Sequence, residues 1–100
     1  MRKNNLLTFT FIVYFRGGIY CSQVEAKNIS ASTIAWFEEI KSKKKDIKYL
    51  GDKILKELQI AINDEDDQPT LLQGLKNAWF NLYLTSQGSF LVNIVQTDTN

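Results

Sequence analysis

Between positions 7 and 15 every second residue is large and apolar. Leu7, Phe9, Phe11, Val13 and Phe15 fall on one side of an extended chain, and Thr8, Thr10, Ile12 and Tyr14 on the other. A period of two fits a half-buried β-strand and not an α-helix, whose apolar positions recur every three to four residues. A face carrying Phe9, Phe11 and Phe15 needs a second layer to cover it. Arg16-Gly17-Gly18 then reads as a turn in which glycine takes a positive φ, and residues 19–26 return as a second strand. Its faces are Tyr20, Ser22, Val24 and Ala26 against Ile19, Cys21, Gln23 and Glu25.

The period then changes. Ser30 or Ser32 is placed to cap a helix over about residues 31–45, with Ile34, Phe37 and Ile40 as its apolar stripe and Trp36 at the border. Lys41, Lys43, Lys44 and Lys45 crowd its last turn, where cations meet the carbonyl end of the helix dipole. A second helix over about residues 51–63 carries Ile54, Leu55, Leu58, Ala61 and Ile62 at helical spacing. Residues 63–70, with Asp64, Glu65, Asp66 and Asp67 before the only proline, Pro69, form an acidic loop. Residues 75–97 read as a second hairpin around Ser86-Gln87-Gly88, and residues 98–100 are expected to fray. The order ββααββ predicts one α+β domain over residues 1–100: a two-layer fold whose four-stranded, mostly antiparallel sheet carries both helices on one face.

Composition narrows the chemistry more than the fold. In 100 residues there are 12 basic and 11 acidic side chains, one cysteine and no histidine. A chain of this size buries roughly 65% of its unfolded surface, enough for one core and no second domain. Without histidine the commonest general base and the His-containing zinc sites are excluded. Cys21 cannot form an intramolecular disulfide, which fits a reducing, cytoplasmic setting. No apolar stretch approaches the roughly 18 residues needed to span a bilayer. A rival reading makes residues 1–26 a signal segment of a small secreted protein. It rests on Arg2 and Lys3 before the apolar run and on Val24-Glu25-Ala26 as a cleavage site, and only in that setting would the sequon Asn28-Ile29-Ser30 matter.

No catalytic, cofactor or metal site is expected, and the chain reads as a non-enzyme. Cys21 lies in a strand, as a small semi-buried residue with no histidine to activate it. Ser42 beside Lys41 and Lys43 sits on a solvated helix end. Glu38 and Glu39 are adjacent on a helix and point to different azimuths. A calcium loop starting at Asp64 would need glycine where Pro69 stands and a carboxylate where Leu75 stands. Lys41, Lys43, Lys44, Lys45 and Lys48, with Lys53 and Lys56 beyond, are candidates for nucleic-acid contact, although Asp46, Asp52 and Glu57 are interleaved.

The outer sheet face, away from the helices, is the stronger candidate. Residues 71–100 carry only Lys76 and Asp98 as charges. With the phenylalanine face of the first strand turned inward, the opposite face is expected to gather Thr10, Tyr14, Trp79, Asn81, Tyr83 and Asn93, and Glu25 is its only obvious charge. Such a composition resembles an interface more than a solvated sheet. The expected partner is a second copy of the chain or another protein.

The run Phe9-Thr10-Phe11-Ile12-Val13-Tyr14 through Gly17-Gly18 to Ser30 loosely resembles the opening of HicB-type antitoxin domains over about a third of the chain. The proline and glycine segment that such domains place before the helix is absent, and the second hairpin has no counterpart. The resemblance implies no site residue. It keeps a small bacterial, antitoxin-like regulatory protein as an alternative.

Overall fold

The computed structural model describes residues 6–97. Arg2, Lys3 and the fraying expected at residues 98–100 lie outside them. Strands β1 (Leu7–Phe15) and β2 (Gly18–Ala26) precede α1 (Ile29–Ser42), a 3-10 turn at Lys44–Asp46 and α2 (Asp52–Ile62). Strands β3 (Thr70–Leu71), β4 (Ala78–Thr85) and β5 (Gly88–Gln96) follow. All pairings are antiparallel, in the order β2-β1-β5-β4-β3. The fold is α+β as expected, but among the described residues its sheet has five strands and not four. The extra one, β3, is a two-residue segment of the connector, pairing Thr70 with Phe80 and Leu71 with Trp79. Two residues are too few to show a period in sequence. The first and last long strands, β1 and β5, lie side by side and join the two hairpins into one sheet.

The first turn is tighter than glycine alone would require. Arg16 and Gly17 both take positive φ, 49° and 83°, as a two-residue type I′ turn demands. For arginine this conformation costs on the order of 1–2 kcal/mol. Two contacts offset it: the guanidinium lies 4.0 Å from the centre of the Tyr49 ring, and Nη1 donates to the Gln87 carbonyl at 3.0 Å. The turns of both hairpins are thereby tied to the connection between the helices.

The cap and the buried face of α1 differ from expectation. Asn28, not Ser30 or Ser32, is the N-cap, its Oδ1 accepting from Ala31 N at 2.8 Å. The buried face comprises Ser32, Thr33, Trp36, Phe37 and Ile40, while Ile34 is exposed. Ser32 and Thr33 donate their hydroxyls to the carbonyls of Ile29 and Ser30, at 2.6 and 2.8 Å, so two small polar residues face the sheet without orphaned groups. On α2, Ile54, Leu55, Leu58 and Ile62 are buried and Ala61 is partly so, as their spacing predicts.

Strand β4 reverses the expected facing. Directly opposed residues share a face, and β4 pairs Trp79 with Ile94, Asn81 with Val92 and Tyr83 with Phe90. Phe90, Val92 and Ile94 are core residues, so Trp79, Asn81 and Tyr83 point toward the helices. Tyr83 is 0% exposed and stacks near Trp36, and Trp79 packs against Phe9. Trp79 and Tyr83 fill the space beneath the helices, and Phe80, Leu82 and Leu84 go outward together. A phase change of one residue moves the whole set.

Candidate interaction face

The outer face is read row by row across the sheet. Ile19, Tyr14, Leu91 and Leu82 are successive cross-strand neighbours on β2, β1, β5 and β4. Leu84 continues the row two residues further along β4. All five side chains are exposed, from 39% at Leu82 to 69% at Leu84. Cys21, Ile12, Asn93 and Phe80 make the next row, and Gln23, Thr10, Val95 and Ala78 the one after. The face thus grades from an apolar band near the hairpin turns to a polar end.

The polar end is already satisfied within the chain. Gln23 Nε2 donates to Thr10 Oγ1 at 3.0 Å, and the hydroxyls of Thr10 and Thr97 share a hydrogen bond at 2.7 Å. Asn93 Nδ2 lies 3.4 Å from the Ile12 carbonyl. Glu25, at the end of β2, is exposed and has no ion pair among the described residues.

Of the six expected face residues, Thr10, Tyr14 and Asn93 are outward. Trp79, Asn81 and Tyr83 are not. Asn81 instead anchors the acidic loop, its Nδ2 donating to Asp67 O at 3.1 Å and Oδ1 at 3.2 Å. On β4, Leu82 and Leu84 take their place, beside Ile19 and Leu91, whose outward facing agrees with the sequence reading. Their alternation along β4 and β5 was visible, but both faces of β4 are apolar and only the pairing with β5 decides between them.

The lysine-rich region is partly self-neutralised, three of its lysines being ion-paired. Lys41 pairs with Glu38 at 3.1 Å, Lys43 with Glu39 at 2.9 Å and Lys44 with Asp52 at 2.8 Å. The hydrogen bond from Lys44 holds the Asp52 carboxyl below its ordinary range. Lys45 and Lys48 have no ion pair among the described residues. The acidic loop is organised by its own backbone: Asp64 Oδ1 accepts from Asp66 N at 2.9 Å, and Gln68 Nε2 donates to the Asp64 carbonyl at 2.9 Å. Among the described residues no group of three or more His, Cys, Asp and Glu side chains is placed to hold a metal ion. Cys21 is exposed and not semi-buried, because position 21 of the edge strand faces outward. No described helix is long and apolar enough to cross a membrane. None of the protein-family models, curated proteins or solved structures compared with the chain matches it.

Proposed function

We propose that the chain is a non-enzymatic protein-association module that forms a homodimer by packing the outer faces of two sheets together. The observation that carries this reading is the continuous band Ile19, Tyr14, Leu91, Leu82 and Leu84, exposed on a face that both helices leave open. Exposed apolar residues scattered singly need no explanation, whereas a contiguous row across four strands marks a contact surface.

Size supports a second copy as the occupant. Four strands at a spacing of ~4.8 Å and eight residues at a rise of ~3.3 Å give a face of roughly 19 by 26 Å. That is on the order of 500 Å² in projection, and side-chain relief brings it toward the ~800 Å² per partner of a standard interface. A two-fold axis through the face lays band against band, with the internally bonded Thr10, Gln23 and Thr97 at the rim. A single exposed thiol, Cys21, suits a reducing cytoplasm for such a dimer.

Light scattering coupled to size exclusion tests the reading. The wild-type chain is expected to run as a dimer at micromolar concentration, and Leu84→Lys and Tyr14→Lys as monomers with unchanged circular dichroism. A wild-type monomer at high micromolar concentration overturns it. Trp79 is not a suitable test position, because its ring packs inward against the core.

A further inference from the structure

We infer that the open edge of β2 and the cavity beside it form a docking groove for an extended peptide, which adds to the sheet as a further strand and inserts one bulky apolar side chain between β2 and α1. Two independent features meet there.

The first is the edge itself. A two-residue turn closes on a hydrogen-bonded pair, Phe15 with Gly18, so Tyr20, Ser22 and Val24 exchange bonds with Val13, Phe11 and Phe9. The intervening Ile19, Cys21, Gln23 and Glu25 then aim their N–H and C=O groups away from the sheet. The other side of β1 keeps the same phase: Thr97 N donates to the Thr8 carbonyl at 2.8 Å, toward β5. Proteins blunt such edges with proline, lysine, a bulge or a covering segment. Over nine residues β2 has no proline, no lysine and an unbroken one-to-one register, whereas the opposite edge strand, β3, has only two residues.

The second feature is a cavity of about 230 Å³ between β2 and the C-terminal half of α1. Its floor is apolar, from Val13, Trp36, Ile40, Ile47 and Phe90. Its wall includes Ile19, Tyr20, Cys21 and Ser22, four consecutive residues whose side chains alternate between faces. Consecutive strand residues line one cavity only where it opens along the strand's backbone, so the cavity reaches the same edge. A dry apolar cavity of about 150 Å³ already holds benzene. This one holds a leucine, isoleucine or phenylalanine side chain.

Charge and sterics select the occupant. At the rim Lys43 is paired with Glu39, leaving Asp46 without an ion pair among the described residues, and Glu25 is likewise unpaired further along the edge. A cationic residue flanking the apolar one complements both. A second copy fits poorly: α1 lies chiefly over β2, and edge pairing would set two β2 strands ~4.8 Å apart beneath helices whose axes need 8–10 Å. An extended segment with no helix above it meets no such conflict, which is the strand-addition mode of peptide recognition.

Amide hydrogen exchange on the full chain tests this, with capped octapeptide probes that alternate Thr or Val with a central Leu, Ile or Phe flanked by Lys. In the free protein the amides of Ile19, Cys21, Gln23 and Glu25 are expected to exchange fast and those of Tyr20, Ser22 and Val24 slowly. Saturating probe is expected to protect the first set. Replacing the central leucine of the probe by alanine is expected to weaken binding at least about tenfold. Ser22→Phe, which fills the cavity, does the same, and Leu84→Lys leaves binding intact, which separates this groove from the outer-face band. Edge amides already protected in the free protein, or no saturable binding of any probe up to about 1 mM, overturn the inference.

Discussion

The buried hydroxyl of Tyr83 makes the sharpest demand on the described packing. The ring is 0% exposed, with its centroid 6.4 Å from that of Trp36 and the planes inclined by 17°. Among the described residues its hydroxyl has no hydrogen-bond partner in good geometry. Asn81, two residues away on the same face, is committed elsewhere: its Nδ2 donates to Asp67, and its Oδ1 accepts from Leu82 N at 3.0 Å. Burying a hydroxyl without a partner costs about 1–3 kcal/mol. Deleting one oxygen leaves a void on the order of 15 Å³, which costs about 0.4 kcal/mol at ~24 cal/mol per Å³. Tyr83→Phe is therefore expected to stabilise the fold by about 0.5–2.5 kcal/mol, keeping the stack on Trp36. In a chain of this length each 1 kcal/mol raises Tm by about 4–8 °C. The same burial pushes the Tyr83 phenol above its ordinary value of 10.0, so the folded state keeps a proton that the unfolded state releases. The associated stability is fully present below about pH 10 and is lost as pH rises toward the folded value, a loss the phenylalanine variant lacks. Urea unfolding at neutral and alkaline pH reads both effects, as a shift in midpoint at constant slope. A variant that loses about 1 kcal/mol or more at pH 7 would refute the argument, since it would mean that the hydroxyl is paired.

Two further substitutions check local contacts. Asn28→Ala removes the side chain that caps α1 through Ala31 N and is expected to cost about 1 kcal/mol in urea unfolding, whereas Ser30→Ala, at the position the sequence suggests, has a smaller effect. Glu57 on α2 accepts from Ser86 N at 2.7 Å and Ser86 Oγ at 2.8 Å, and these bonds lower its carboxyl below the ordinary 4.5. That contribution is present above pH 4.5 and lost as pH falls through the lowered value, so Glu57→Gln is expected to flatten the acid limb of the stability profile.

The elements were legible where the period was long and the two faces differed in chemistry. Leu7 to Phe15 alternates thr-rich and phenylalanine-rich positions, and α2 sets Ile54, Leu55, Leu58 and Ile62 against Lys53 and Glu57. The reading failed where both phases are apolar. In β4, Phe80, Leu82 and Leu84 compete with Trp79 and Tyr83, and local alternation contains nothing that ranks them. The decision comes from the register with β5, a contact that the chain does not announce locally. Helix α1 failed for a related reason: Ser32 and Thr33 look solvated by type, yet they satisfy their hydroxyls on Ile29 and Ser30 and so are free to face the sheet. Short elements such as β3, and caps that differ by a few residues in position, carry too little pattern to be read at all.

The correction at β4 bears on the proposed association in a definite direction. Had Trp79, Asn81 and Tyr83 faced outward, the face would have carried an indole, an amide and a phenol, groups that tolerate water at one end. With them inward, it carries Phe80, Leu82 and Leu84, which do not. Ile12, Tyr14, Leu91 and Val95 continue the same surface over the two central strands. Strands that are apolar on both faces occur where a sheet is covered on both sides, and antiparallel sheets that face water on one side alternate apolar with polar residues. By that rule β4, with the ends of β1 and β5 nearest the hairpin turns, has the composition of a sheet covered on both sides, while α1 and α2 lie on one face. The inward turn of β4 that completes the core is therefore the same event that leaves Phe80, Leu82 and Leu84 on the outer face, and it adds to the apolar band on which the proposed association rests.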